Sequence, residues 1–194
     1  MKRTSEAGRT TGETEITASV NLDGTGRADV STGNRFVDHM LISLARHSLI
    51  DVTLRAESLD GILHHLVEDT AITLGMALRD ALGERTGIVR FGHATVPMDD
   101  SLAECSVDLV RRPYRVVCLS LERSAVEGVP REDIEHFFGS LLSTMEACVH
   151  VRVAYGSNDH HRTEAAIKAL AVALRAALSP DPRRAGVPST KGTM

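Results

Sequence analysis

A chain of 194 residues, 42% apolar and 25% charged, describes a soluble globular protein of one or two small domains that can bury a core. Its net charge of −4 gives no basis for bulk nucleic-acid binding, so any basic patch has to be local. Aromatic residues make up only 3%, with no Trp, beside nine His, so the chain is short of rings for stacking and rich in imidazole.

The opening MKRTSEAGRT carries charge with no apolar run behind it, so no export signal is read and the expected location is the cytoplasm. From Thr14 to Asn21, Ile16, Ala18 and Val20 alternate with Thr17, Ser19 and Asn21, which predicts a half-buried strand ending in an Asn-Leu-Asp-Gly turn. A helix opening on Asp38-His39 follows, then an alternating strand over 52–56, a loop, and a helix opening on His64-His65-x-x-Glu68. A second strand-rich stretch, 94–121, contains Ser106-Val107-Asp108-Leu109, an echo of Ser19-Val20-Asn21-Leu22. After it come a helix opening on Glu135-His136, a strand over 149–154, and a helix opening on His160-His161-x-x-Glu164. Leu170, Ala173, Leu174, Ala177 and Leu178 give that last helix one apolar stripe. Lys168 and Arg175 interrupt it too often for a membrane span, and Pro180 and Pro182 stop it. Cys105, Cys118 and Cys148 have no CxxC spacing and sit in apolar stretches, so buried free thiols in a reducing compartment are expected.

The two halves repeat one another. Residues 64–82 laid on 160–178 give nine identities in 19 positions without a gap, with both HHxxE headers in register. Upstream, Asp38-His39 matches Glu135-His136, and Ser43-Leu44 matches Ser140-Leu141. The fold class expected is α+β: a duplicated unit of one sheet and two helices, with the helices packed against the sheets as a sandwich. The first repeat is expected over 1–90, and the second over 91–180, packed with it as one compact unit. A polar tail follows at 181–194.

Six of the nine histidines occupy repeated positions: His39, His64, His65, His136, His160 and His161. In HHxxE on a helix the first His and the Glu share a face, while the second His points about a third of a turn away. Two adjacent imidazoles therefore do not easily serve one ion together with one Glu, which predicts two metals with the paired His divided between them. With Glu68 and Glu164 there are eight candidate ligands, four for each ion. Such a nitrogen and oxygen set suits Mn²⁺ first, with Fe²⁺ and Zn²⁺ as alternatives. Asp38 and Glu135 are expected to hydrogen-bond the ligand histidines beside them. His47, His93 and His150 have no repeat partner and are given no role.

The same residues carry a resemblance. Asp-His-Met-Leu at 38–41, HHLVEDTA at 64–71, Arg-Phe-Gly at 90–92, Pro-Met-Asp-Asp at 97–100, Arg-Pro-Tyr at 112–114, Glu-His-Phe-Phe at 135–138, HHRTEA at 160–165 and Pro-Ser-Thr-Lys-Gly at 188–192 resemble the imidazoleglycerol-phosphate dehydratase family in order and nearly end to end. The resemblance implies a duplicated α+β fold, two Mn²⁺ per active site, and a homo-oligomeric shell of 24 subunits with active sites between subunits. It implies metal ligation by His39, His64, His65, Glu68, His136, His160, His161 and Glu164, the set the repeat also selects. It also implies substrate contact by Glu13, which is the candidate for the catalytic carboxylate that moves the proton, and phosphate binding by Arg90, Arg112, Ser189 and Lys191, so that the tail contributes to the substrate site. The implied reaction removes water from imidazole glycerol phosphate to give imidazole acetol phosphate, in histidine biosynthesis. No nucleic acid or membrane partner is implied.

Two departures from the family pattern stand out. Gly61-Ile62-Leu63 replaces an acidic pair before the first HHxxE, which predicts weaker support of the first-half histidines unless Asp60 substitutes. Arg111 replaces a Gly before Arg-Pro-Tyr, which predicts extra positive charge beside the phosphate and a more demanding backbone. Two rival readings use similar ligands. A binuclear metal hydrolase would want more bridging carboxylate, and a purely structural metal site would have no use for the phosphate-binding cations.

Overall fold

The computed structural model of the chain describes residues 3–192. The first half runs β1 (Thr4–Thr10), β2 (Thr14–Asn21), β3 (Ala28–Ser31), α1 (Arg35–Ser48), β4 (Asp51–Ser58) and α2 (Leu63–Leu82). The second runs β5 (Phe91–Met98), β6 (Ser101–Asp108), β7 (Tyr114–Cys118), a short hairpin of β8 (Ala125–Val126) and β9 (Val129–Pro130), then α3 (Arg131–Thr144), β10 (Cys148–Tyr155) and α4 (Asp159–Leu178). One four-stranded sheet has the order β1-β2-β4-β3 and the other β5-β6-β10-β7. The helices fill the space between the sheets: α2 lies on β1 and β2, α4 on β5 and β6, α1 against α4, and α2 against α3. This is the expected α+β sandwich of two sheet-plus-helix-pair units.

The duplication reaches the hydrogen-bond register. Thr10 faces Glu15 across the first hairpin, and Pro97 faces Leu102 across the second, each 87 residues on. Asn21 faces Asp51 in the first sheet and Asp108 faces Cys148 in the second. In both sheets the outermost strand, β3 or β7, runs parallel to its neighbour. The match holds to a bulge between Val153 and Tyr155. It makes Asp100, in the turn of the second hairpin, the structural counterpart of Glu13 in the first.

β1 was not expected as a strand. Its half-buried positions are Ser5, Ala7 and Arg9, so the alternation is present but written in small and polar side chains. Polar anchors replace apolar burial there, as where the Ser5 hydroxyl donates to the Ala77 carbonyl.

Small residues set the distances between layers. α4 is covered by the second sheet on one side and α1 on the other, and Ala165, Ala166, Ala169, Ala171, Ala173 and Ala177 are all fully buried. Against it lies Gly92 of β5, where a Cβ would collide with the Ala173 carbonyl. Gly75 does the same for α2, since a Cβ there would stand 2.8 Å from the Leu141 carbonyl oxygen and 2.9 Å from the Thr144 Cβ of α3. Close approach without large rings explains how the chain packs on so few aromatics.

All three cysteines are free, but only Cys105 is buried, and burial pushes its thiol up to about 12. Cys118 is exposed, contrary to expectation, because alternate residues of β7 point to the sheet face that no helix covers. The C-terminal segment turns back on the body: Pro180 bridges to Ile88, and the Gly87 amide donates to the Gly186 carbonyl. No helix among the described residues is long and apolar enough to cross a membrane.

Candidate metal centre

Two clusters of two histidines and one glutamate form where the helix pairs cross. Each takes one helix from each half. In the first, His39 of α1 meets His160 and Glu164 of α4, with both His Nε2 atoms 3.4 Å from Glu164 Oε2. In the second, His136 of α3 meets His64 and Glu68 of α2, the His136 and His64 Nε2 atoms lying 3.0 and 3.8 Å from Glu68 oxygens. The i, i+4 spacing of HHxxE brings the first His and the Glu to one helix face, and the facing helix supplies the third group. Nitrogen and carboxylate oxygen without thiolate, all within 4.8 Å of one another, fit a divalent ion with open positions.

The imidazoles are oriented by acids that the sequence reading did not select. Buried Asp133 sits 2.6 Å from His64 Nδ1, and Glu127, in the β8–β9 turn, sits 3.1 Å from His160 Nδ1. A carboxylate on Nδ1 leaves Nε2 to the ligand position. Asp38 does not do this: its Oδ1 accepts from the Thr32 amide and hydroxyl, closing the turn before α1. Glu135 instead opens onto a groove beside Arg115 and Ser140. The expectation that an acid directly before its His would hold it fails because neighbours on a helix diverge by about 100°. Asp133 reaches His64 from the facing helix α3, so no spacing within one helix points to it. Glu164 sits below the usual carboxylate range: burial works the other way, but hydrogen bonds from Lys168 and His39 outweigh it.

His65 and His161 stand outside these clusters. His65 Nδ1 is 2.6 Å from Asp60 and 3.8 Å from Glu13, and His161 Nδ1 is 2.5 Å from Asp100. The hydrogen bond that His65 donates to Asp60 raises the His65 pKa, while the Ile62 amide and His65 hold Asp60 low. Asp60 therefore takes the place left by Gly61-Ile62-Leu63. Asp100 is held far below its ordinary value, by His161 first and then by the Ser157 amide and hydroxyl and the Asn158 amide. Glu13 is exposed.

Of the cations expected at phosphate, Arg90 donates twice to Asp108, at 2.6 and 3.0 Å, and once to the Pro188 carbonyl at 2.6 Å, which holds the tail just before Ser189. Arg112 and Lys191 are exposed, and Ser189 is half-buried. Arg111 adds less charge here than expected, because it donates to the Gly83 carbonyl and to Glu84 at the end of α2. It does not require the left-handed backbone either. His93 and His150 lie on the uncovered face of the second sheet, and His47 lies in the last turn of α1; none joins a cluster.

The model of the imidazoleglycerol-phosphate dehydratase family matches residues 32–174. Curated proteins of that name from Dehalococcoides mccartyi and Chlorobaculum parvum are 53% and 47% identical over 194 residues, covering all of this chain and 98% and 99% of theirs. The crystal structure of the Pyrococcus furiosus protein of that name superposes with a TM-score of 0.80 at 36% identity, covering 96% of this chain and 99% of that one. The Staphylococcus aureus structure gives 0.81 at 29% identity, covering 91% and 99%.

Proposed function

Because the chain belongs to the imidazoleglycerol-phosphate dehydratase family, hydro-lyases of histidine biosynthesis, we propose that it works with two Mn²⁺ ions per active site. The reaction takes water from imidazole glycerol phosphate and gives imidazole acetol phosphate. The observation that carries the two-ion reading is the matched pair of His₂Glu clusters, each built across the two halves with its Nε2 atoms gathered at a carboxylate. Six of the eight ligands, His39, His160, Glu164, His64, Glu68 and His136, meet within one subunit. His65 and His161 have Nδ1 tied to Asp60 and Asp100, which reserves their Nε2 atoms, with only the exposed Asp99 3.4 Å from that of His161, to complete the clusters of a neighbouring subunit. That division calls for active sites between subunits, here in a cytoplasmic shell of 24 copies.

The carbon that loses a proton has no carbonyl beside it, so the charge must go to the substrate's ring. When bound, the ions supply Lewis-acid stabilisation of that charge and a template for the ring. The chain's own groups do the rest. Glu13, exposed and close to His65, moves the proton. Arg112 and Lys191 meet the phosphate dianion as a forked donor and a point charge, and Ser189 adds a hydroxyl. Arg90 sets the tail beside them through Pro188, so that 181–194 closes a site framed by the repeats 1–90 and 91–180.

The test is chelator-stripped protein reloaded with Mn²⁺ and assayed on imidazole glycerol phosphate. Turnover should return as two ions bind per subunit, and Glu13→Gln should keep both ions while losing about 10²- to 10⁴-fold in kcat. One ion per subunit at saturation overturns the two-ion reading. Full turnover by Glu13→Gln removes Glu13 from the chemistry, and a native mass far below 24 subunits removes the shell.

A further inference from the structure

We infer that Asp69 and Thr14 are positioning residues that hold the Glu13 turn in place from beneath. Asp69 lies on α2 next to Glu68, yet it joins neither cluster and is buried. Its Oδ1 accepts from Arg9 Nε at 2.7 Å and its Oδ2 from the Thr14 hydroxyl at 2.6 Å. Thr14 is fully buried and directly follows Glu13. The turn itself is closed, because the Thr11 hydroxyl accepts from the amides of Glu13 and Thr14, both at 3.1 Å. On its other side the Glu13 carbonyl accepts from the Leu59 amide at 2.8 Å, next to the Asp60 that holds His65. The Glu13 backbone is thus fixed between α2 and the His65 anchor, while its carboxylate stays open.

The second half shows that the clamp is not needed merely to seat a hairpin. There the counterparts of Arg9, Thr14 and Asp69 are Val96, Ser101 and Ala165, and the hairpin forms in the same register without a buried carboxylate beneath it. A buried carboxylate is costly unless fully partnered, so hydrophobic packing would serve a hairpin at least as well. The turn acid of that half, Asp100, is immobilised by its own side chain on His161, Ser157 and Asn158. Where the side chain must remain free, the backbone is clamped instead. A displacement of about 1 Å at a reacting group can cost about a hundredfold in rate, which gives such a clamp a function.

This inference rests on Glu13 as the proton-moving carboxylate. Thr14→Val keeps the shape of the side chain and removes its hydroxyl; Thr14→Ser restores the hydroxyl. Thr14→Val should lower kcat by about tenfold or more while KM and bound Mn²⁺ per subunit stay within about twofold of wild type, and Thr14→Ser should recover most of the loss. Asp69→Asn, which keeps the volume and one acceptor, should show the same split and serves if Thr14→Val does not fold. Wild-type kcat in both variants beside an inactive Glu13→Gln overturns the inference alone. Parallel losses of kcat, bound metal and melting temperature also overturn it, as general damage. A fully active Glu13→Gln overturns the reading of Glu13 on which it stands.

Discussion

The first and second halves share their strand order, register and ligand spacing, yet they support the paired histidines differently. In the first, the loop acid Asp60 holds His65 and the turn acid Glu13 is left free. In the second, the turn acid Asp100 takes the histidine. α4 is capped by Asn158, whose side chain accepts from the His160 and His161 amides, and buried Arg162 ties Asp159 to Glu122 and to the carbonyls of Ser120 and Gly156. α2 has Ile62 at its N-cap position and so no side-chain cap. Duplication has kept what both clusters require and varied the rest. Because each cluster draws a helix from each half, neither half contains a complete one, and this shared dependence preserves the common geometry.

The strongest way to break that picture is to remove one carboxylate from each cluster in turn. On the proposed two-ion reading, Glu68→Gln and Glu164→Gln should each reduce bound Mn²⁺ from two ions to one per subunit and cut kcat by more than the roughly 100-fold typical of outer partners. Metal analysis and assay on the same samples check this. If either variant loses both ions, the clusters are not independent sites.

A smaller effect separates the two supports. Asp100→Asn removes charge from a carboxylate that His161, two amides and two hydroxyls all contact, whereas Asp60 accepts from His65, one amide and one hydroxyl. Asp100→Asn should weaken Mn²⁺ binding by about 10- to 100-fold and Asp60→Asn by less. Competition titration with a chelator reads both. Equal losses would mean that the two halves hold their histidines equally well.

How much of this was legible follows the same division. The residues of the two His₂Glu clusters could be read because helical spacing is rigid: once HHxxE and acid-His occur twice, their faces follow. The crossing of the halves could not, because it depends on how α1 packs on α4 and α2 on α3, which Gly75 and the alanines permit without any periodic signal. β1 escaped because Ser5, Ala7 and Arg9 carry its inward face. Asp133, Glu127 and Asp100 escaped as His partners because they come from other elements, 69, 33 and 61 residues away in sequence. Sequence adjacency suggested Asp38 and Glu135 instead, and helix geometry turns both away.

The mildest contrast lies outside the site. Asp51, at the start of β4, accepts from the amides of Thr25 and Arg27 at 2.8 and 2.9 Å and from the Arg27 guanidinium at 3.2 Å. Burial alone would raise its pKa, but the Arg27 and Thr25 amides and then the Arg27 side chain outweigh it and hold the carboxyl at about 2. The unfolded value is about 3.9. With the folded pKa depressed, the contribution is complete above the unfolded pKa and is lost as pH falls through about 2. The structural counterpart is Cys148, which brings no carboxylate to that position. In metal-free protein, where acid release of ions does not enter, Asp51→Asn should lower the urea midpoint at pH 7 by an amount worth less than about 1 kcal/mol after solvent screening. The gap from wild type should close as pH falls from about 4 toward 2, while Cys148→Ser should show no such closing. A gap that stays constant across that range would mean that Asp51 acts through packing and not charge, and the first half would lose its acid-sensitive strut.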